Sequence, residues 1–107
     1  MKFSSRLTDL VIASSGTTSN ALDNSEIRFM DEFVIFGPAA LTGTVTVQIS
    51  YDGTNYVTLQ SAGSDVTIAA TKGTVIKAGG FVKLRVISGS AEGATRTFPI
   101  IGAESHT

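Results

Sequence analysis

The side chains best suited to chemistry in this chain gather around one short turn. Tyr51-Asp52-Gly53-Thr54-Asn55-Tyr56 places a phenol on each side of an Asp and an Asn. Exposed aromatics beside carboxylate and amide groups are how small β-domains stack on sugar rings and hydrogen-bond their hydroxyls. The same residues also suit a plain hairpin whose tyrosines close the end of a core with their hydroxyls in water, and the absence of Trp favours that plainer reading.

Catalysis finds little to work with elsewhere. His106, the sole imidazole, stands beside the last residue of the sequence, where a base of a Ser-His-Asp arrangement has no rigid support. No Gly-x-Ser-x-Gly elbow, phosphate-cradling Gly-rich loop or His-Glu-x-x-His helix is present. The carboxylates Asp9, Asp23, Glu26, Asp31, Glu32, Asp52, Asp65, Glu92 and Glu104 are scattered over turns and strand ends and read as solvated surface charge. A glycosidase pair facing across a cleft has little room beside the core of so small a domain. Oxygens of Asn20, Asp23 and Asn24, or of Asp52 and Asn55, could approach a calcium ion, but the dense acidic spacing of a calcium loop is missing and Asx turns account for the same residues. The expectation is a non-enzyme with no cofactor and no metal.

Composition narrows the partners. With Cys at 0 there is no disulfide framework, thiolate nucleophile or Cys-based zinc site. A formal net charge of -1 supplies no basic field for counterion release, so nucleic acid is not an expected partner. No apolar stretch approaches the ~20 residues that span a bilayer, so no membrane partner is expected either. Met1 and Lys2 make a basic start, but Arg6, Thr8 and Asp9 interrupt the apolar run a signal peptide needs.

The elements that must position these residues read as strands. A chain of 107 residues with 42% hydrophobic and 16% charged residues is the size of one domain and lies far from the signature of disorder. Val45, Val47, Ile49 and Tyr51 alternate with Thr44, Thr46, Gln48 and Ser50, which predicts a half-buried strand. Asp52-Gly53 then turns the chain into a second strand over 56–60, forming a β-hairpin. Further strands are expected over 6–13, within 26–36, and over 65–69, 74–77, 81–87 and 95–101, with Pro99 marking the last as an edge or a strand end. About eight short strands separated by turns predict an all-β fold, a single small antiparallel β-sandwich over 1–107, jelly-roll or immunoglobulin-like in connection.

Two segments stand apart from that regularity. Residues 14–25 form a polar run with neither strand nor helix period, expected, like residues 1–5, to be a flexible arm or loop, either a mobile connection or an ordered binding arm. Residues 33–41 are uncharged and apolar on both faces, so they need cover on both sides, from a loop of the same chain or from another subunit. Phe33, Ile35, Phe36 and Leu41 are the candidates for subunit contact.

The hairpin over 49–59, Ile-Ser-Tyr-Asp-Gly-Thr-Asn-Tyr-Val-Thr-Leu, resembles hairpins of small virion proteins of tailed bacteriophages. The Thr/Gly/Val-rich, Cys-free, weakly charged character of 44–102 is similar to that of capsid decoration (cement) proteins and small tail proteins, although the short motif also occurs in sugar-binding and adhesion sandwiches. The resemblance implies a β-sandwich, often a homotrimer, that lies on the capsid surface of the virion and staples neighbouring major capsid subunits. No family residue set transfers position by position. The alternatives are a carbohydrate-binding or adhesion module using Tyr51, Asp52, Asn55 and Tyr56, with a glycan as partner, and a low-copy tail or connector protein.

Overall fold

The computed structural model describes residues 2–77 and 79–105. In chain order its elements are β1 (Lys2–Ile12), the one-turn helix α1 (Asn24–Ile27), β2 (Glu32–Phe36), β3 (Val45–Ser50), β4 (Tyr56–Thr58), β5 (Gln60–Ser61), β6 (Ser64–Asp65), β7 (Thr67–Ile68), β8 (Gly73–Lys77), β9 (Lys83–Ser88) and β10 (Arg96–Ser105). One antiparallel sheet has the order β1-β10-β2-β8. The second is centred on β3, with β9 along one side and β4 and β7 end to end along the other. Between β4 and β7 the β5–β6 hairpin leaves the sheet edge, its base held by bonds from Leu59 N to Val47 O and from Val47 N to Val66 O.

The period-2 pattern decides what lies between the sheets. Leu10, Ile12, Phe33, Ile35, Phe98 and Ile100 from the first sheet and Val45, Val47, Leu84 and Val86 from the second are all essentially inaccessible to solvent. The fold is an antiparallel β-sandwich built around that core. Leu22 and Ile27 fill one end of the core from the segment between β1 and β2.

That segment corrects the expectation of a flexible loop over 14–25. Thr18 and Leu22 bridge to Ile87 and Leu84, so the segment runs antiparallel along the free edge of β9. Ser19 N donates to Val86 O, while Val86 N donates to the Ser19 hydroxyl in place of a carbonyl, which interrupts a regular ladder. Polar side chains replacing backbone partners are why no strand period marks this stretch. Counting it as a strand, and β4 with β7 as one, the sheets read first-eighth-third-sixth and second-seventh-fourth-fifth in chain order. This interleaving is that of a jelly roll.

Three further expectations change. Residues 2–5, expected as a flexible arm, begin β1 and pair with residues 102–105 of β10; Met1 lies outside the described residues. Glu26 and Ile27, expected in a strand, form α1, which Asp23 caps by accepting from Ser25 N. Pro99 does not mark an edge, because β10 lies between β1 and β2. Its missing N–H falls where β1 bulges between Leu7 and Leu10, and β2 pairs only from Ile100 onward.

Candidate functional site

The hairpin tip is built around a buried hydroxyl. Ser50 is fully buried at the end of β3, and its Oγ accepts from Gly53 N at 2.8 Å and Asp52 N at 3.3 Å while donating to Asp52 Oδ1 at 3.1 Å. Asp52 Oδ1 also accepts from Thr54 N (2.9 Å) and Asn55 N (2.8 Å), and Oδ2 accepts from Asn55 Nδ2 (2.7 Å). The amides of Asn55 and Thr54, with the Asn55 side chain, hold the Asp52 carboxyl well below the usual carboxylate range. Gly53 completes the turn at φ +84, a conformation that suits glycine.

The tyrosines diverge. Tyr51, expected on the same face as Val45 and Val47, is 71% exposed because the turn begins there and Ser50 takes the interior place. Tyr56 is half-buried, with the Arg85 guanidinium 3.8 Å from its ring centroid and Arg85 Nε donating to Gln48 Oε1 at 2.8 Å. Of the four residues expected at a sugar site, Asp52 and Asn55 meet, but they bind each other and the turn. Arg85 covers one ring face of Tyr56, leaving Tyr51 as the open aromatic surface.

The apolar segment gives a clearer surface. Phe33 and Ile35 are fully buried against the second sheet of the same chain, so neither is available for the subunit contact expected of them. Leu41 is half-buried and packs against the same core. Opposite parity sends Glu32, Val34 and Phe36 to the outer face of the first sheet. There Val34 pairs with Val75 on β8 and with Ile101 on β10, making an apolar row across three strands. Phe36 lies beside the row, its ring over the vacant face of Gly73, where an added Cβ would stand 3.5 Å from the ring. Val75 is 54% and Phe36 40% exposed while Val34 and Ile101 are half-buried, so this face is open toward the β8 edge. A pairing of Lys77 Nζ with Glu32 Oε1 at 3.7 Å borders it.

No protein-family model and no curated protein matches the chain. Among solved structures, a chain from work described as "Bacillus endospore appendages form a novel family of disulfide-linked pili" superposes with a TM-score of 0.53 at 14% sequence identity. The match covers 99% of this chain and 89% of that one. The likeness is one of fold.

Sequence reasoning missed two groups of residues. Val34, Val75 and Ile101 were legible only as alternation partners of buried neighbours, and their alignment depends on register. Glu92, expected as surface charge, is 1% exposed. Its Oε1 accepts from Thr42 N and Arg96 Nε, each at 2.8 Å, and its Oε2 from Gly43 N at 2.9 Å and Ser88 Oγ at 2.7 Å. Burial pushes its pKa up, but the bonds from Thr42, Ser88, Gly43 and Arg96 outweigh burial and bring it down to about 2. The Glu92 main chain joins in: Ser15 N donates to its carbonyl, and its N–H donates to Gly16 O. One carboxylate thus ties together three chain segments at one end of the sandwich.

Of the oxygens considered for calcium, those of Asn20, Asp23 and Asp52 have other partners. Asn20 Oδ1 accepts from Val11 N and its Nδ2 donates to Asp9 O, closing part of the free edge of β1. Glu26 Oε1 does the same for Thr8, accepting from both its amide and its hydroxyl. Among the described residues no group of three or more His, Cys, Asp or Glu side chains is arranged to hold a metal ion. His106 lies outside the described residues.

Proposed function

We propose that this chain is a non-catalytic structural subunit that decorates a bacteriophage capsid and stabilises it by binding major capsid subunits and its own copies, as a homotrimer on the virion surface. The observation that carries the assembly role is the apolar row Val75–Val34–Ile101, exposed at Val75 and half-buried at Val34 and Ile101, with the exposed Phe36 beside it. Burying exposed apolar area against a neighbour is the main favourable term in protein association. The edge strand β8 borders the row, so a neighbour seated there meets side chains and backbone together. The capsid as the site of assembly rests on the resemblance of the 49–59 hairpin to those of phage virion proteins. The test is the copy number of this chain per particle, by quantitative mass spectrometry on virions from the genome that encodes it. Hundreds of copies, comparable with the major capsid protein, fit decoration; a dozen or so move the protein to the tail or connector, and none removes it from the virion.

A second reading has a specific observation in its favour, the fold shared with a pilus-forming protein. In that reading copies of this chain polymerise with one another. Disulfide linkage plays no part here, since the sequence has Cys 0. Electron microscopy of the purified protein separates the readings: filaments made by this chain alone support polymerisation, and particles of a few copies that bind only to capsids support decoration.

A further inference from the structure

Asp52-Gly53 is the one Asp-Gly pair in the sequence, and it lies at the exposed tip of the β3–β4 hairpin. A glycine amide following an Asp is the least hindered backbone nucleophile that a neighbouring carboxyl can meet, because no Cβ shields the nitrogen. Around Gly53 the surroundings are open: an added Cβ would find only the Lys83 side chain, at 3.8 Å. Sequence and exposure therefore favour ring closure here, yet the atoms concerned are engaged elsewhere. Gly53 N donates to Ser50 Oγ at 2.8 Å, and Ser50 is fully buried, so that acceptor cannot swing away into solvent. The Asp52 carboxylate is turned forward onto Thr54 N, Asn55 N and Asn55 Nδ2.

We propose that Asp52-Gly53 is a latent isoaspartate site that the buried Ser50 hydroxyl and the forward-facing amides keep closed in the folded hairpin. In the reaction so prevented, Gly53 N attacks Cγ of the protonated Asp52 side chain. An N–Cγ bond forms and a Cγ–O bond breaks, and the amide proton leaves with the carboxyl hydroxyl as water, giving a five-membered succinimide. Water then adds at the Asp52 main-chain carbonyl carbon and breaks its bond to Gly53 N. The backbone now runs through Cγ, one methylene longer. Three of the closed-state contacts bear directly on the first step. The Ser50 bond holds the nucleophile, and the amides of Thr54 and Asn55 keep the electrophile as a carboxylate, whose charge repels attack. Ring closure thus waits on local opening of the tip, an event distinct from global unfolding. An isoaspartate formed there would lengthen the turn and break the bonds that Asp52 makes to Thr54 and Asn55.

The experiment is long incubation at neutral pH of the native chain, of the Ser50→Ala variant, and of the native chain in denaturant, with isoaspartate at position 52 quantified by peptide mapping. Each hydrogen bond lost on Ser50→Ala raises the open fraction about fivefold. The folded variant should therefore accumulate isoaspartate at least about fivefold faster than the folded native chain, whose rate in turn lies far below that in denaturant. Equal rates for folded and denatured native chain overturn the proposal. So does a folded Ser50→Ala variant that ages no faster than the native chain. If Ser50→Ala does not fold, Asn55→Ala at the exposed tip serves instead: it frees Asp52 Oδ2, and a rate unchanged from native rejects the gate.

Discussion

Arg96 Nε lies 2.8 Å from Glu92 Oε1, and the carboxylate it meets is 1% exposed. The pair is four residues apart along the chain, and Ser88, which ends β9, is equally near on the other side, while Thr42 and Gly43, which precede β3, come from far away. Truncating one member of such a buried set leaves the rest unpaired in a medium that cannot solvate them. Glu92→Ala is therefore expected to lower unfolding free energy by about 3–5 kcal/mol, read from urea denaturation. A variant as stable as the native chain would mean that other contacts hold this end of the sandwich.

The same carboxylate sets an acid limit. Its folded-state pKa, about 2, lies below the ordinary value of 4.5, so the ionised form is the one folding favours. Its contribution is fully present above pH 4.5 and drains away as pH falls toward 2. Acid titration followed by circular dichroism should show stability falling through that window. Glu92→Gln, which has no proton to gain, should start less stable at neutral pH and show a flatter profile there. Parallel profiles for the two proteins would assign the acid sensitivity to other groups.

Alternation carried most of the fold in the sequence: Val45, Val47, Leu84 and Val86 pointed inward because a period of two admits no other arrangement once one face is buried. It failed where side chains stand in for backbone. Ser19 and Asn20 satisfy amides of β9 and β1, so the segment between β1 and β2 joins a sheet without a strand pattern. The same limit hid Glu92, whose burial depends on the amides of Thr42 and Gly43, far along the chain, as well as on Ser88 and Arg96 beside it. At the hairpin the residue types were legible, but the commitment of Asp52 to Asn55 depends on the turn geometry that the buried Ser50 imposes. The apolar outer row was half legible, since the double-faced hydrophobicity of 33–36 was visible while the register joining Val34 to Val75 and Ile101 was not.

Gly37 is where the chain leaves β2, and a Cβ added there would fall 2.0 Å from the carbonyl oxygen of Ala69. The obstacle is backbone, so it cannot rotate aside, and the bond from Gly37 N to Lys72 O fixes the approach. Gly37→Ala should cost at least the ~1–3 kcal/mol typical of overpacking. Gly63→Ala meets nothing within 4 Å but must hold φ +82, and its cost should stay near the ~1–2 kcal/mol of left-handed strain. Thermal melts of both variants check the order; a Gly37→Ala protein that melts like the native one would show that the two segments can separate freely.

The outer row separates assembly from folding. Val75 is 54% exposed on the edge strand β8, so Val75→Lys should change monomer stability by no more than about 0.5–1 kcal/mol. The lysine nevertheless places a charge at the β8 end of the apolar row and on the edge a neighbour would pair with, a common way for sheet edges to repel association. Phe33→Ala is the contrasting change, because Phe33 lies in the core and its loss should cost about 3–5 kcal/mol whether or not a partner is present. If the row is the assembly surface, Val75→Lys abolishes association while leaving the melting curve of the isolated chain in place. Phe33→Ala instead loses association only in step with unfolding. Light scattering on the purified proteins and occupancy on particles read both effects. Undiminished association of a folded Val75→Lys protein would remove the outer face of this sheet from the assembly and with it the observation on which the structural role rests.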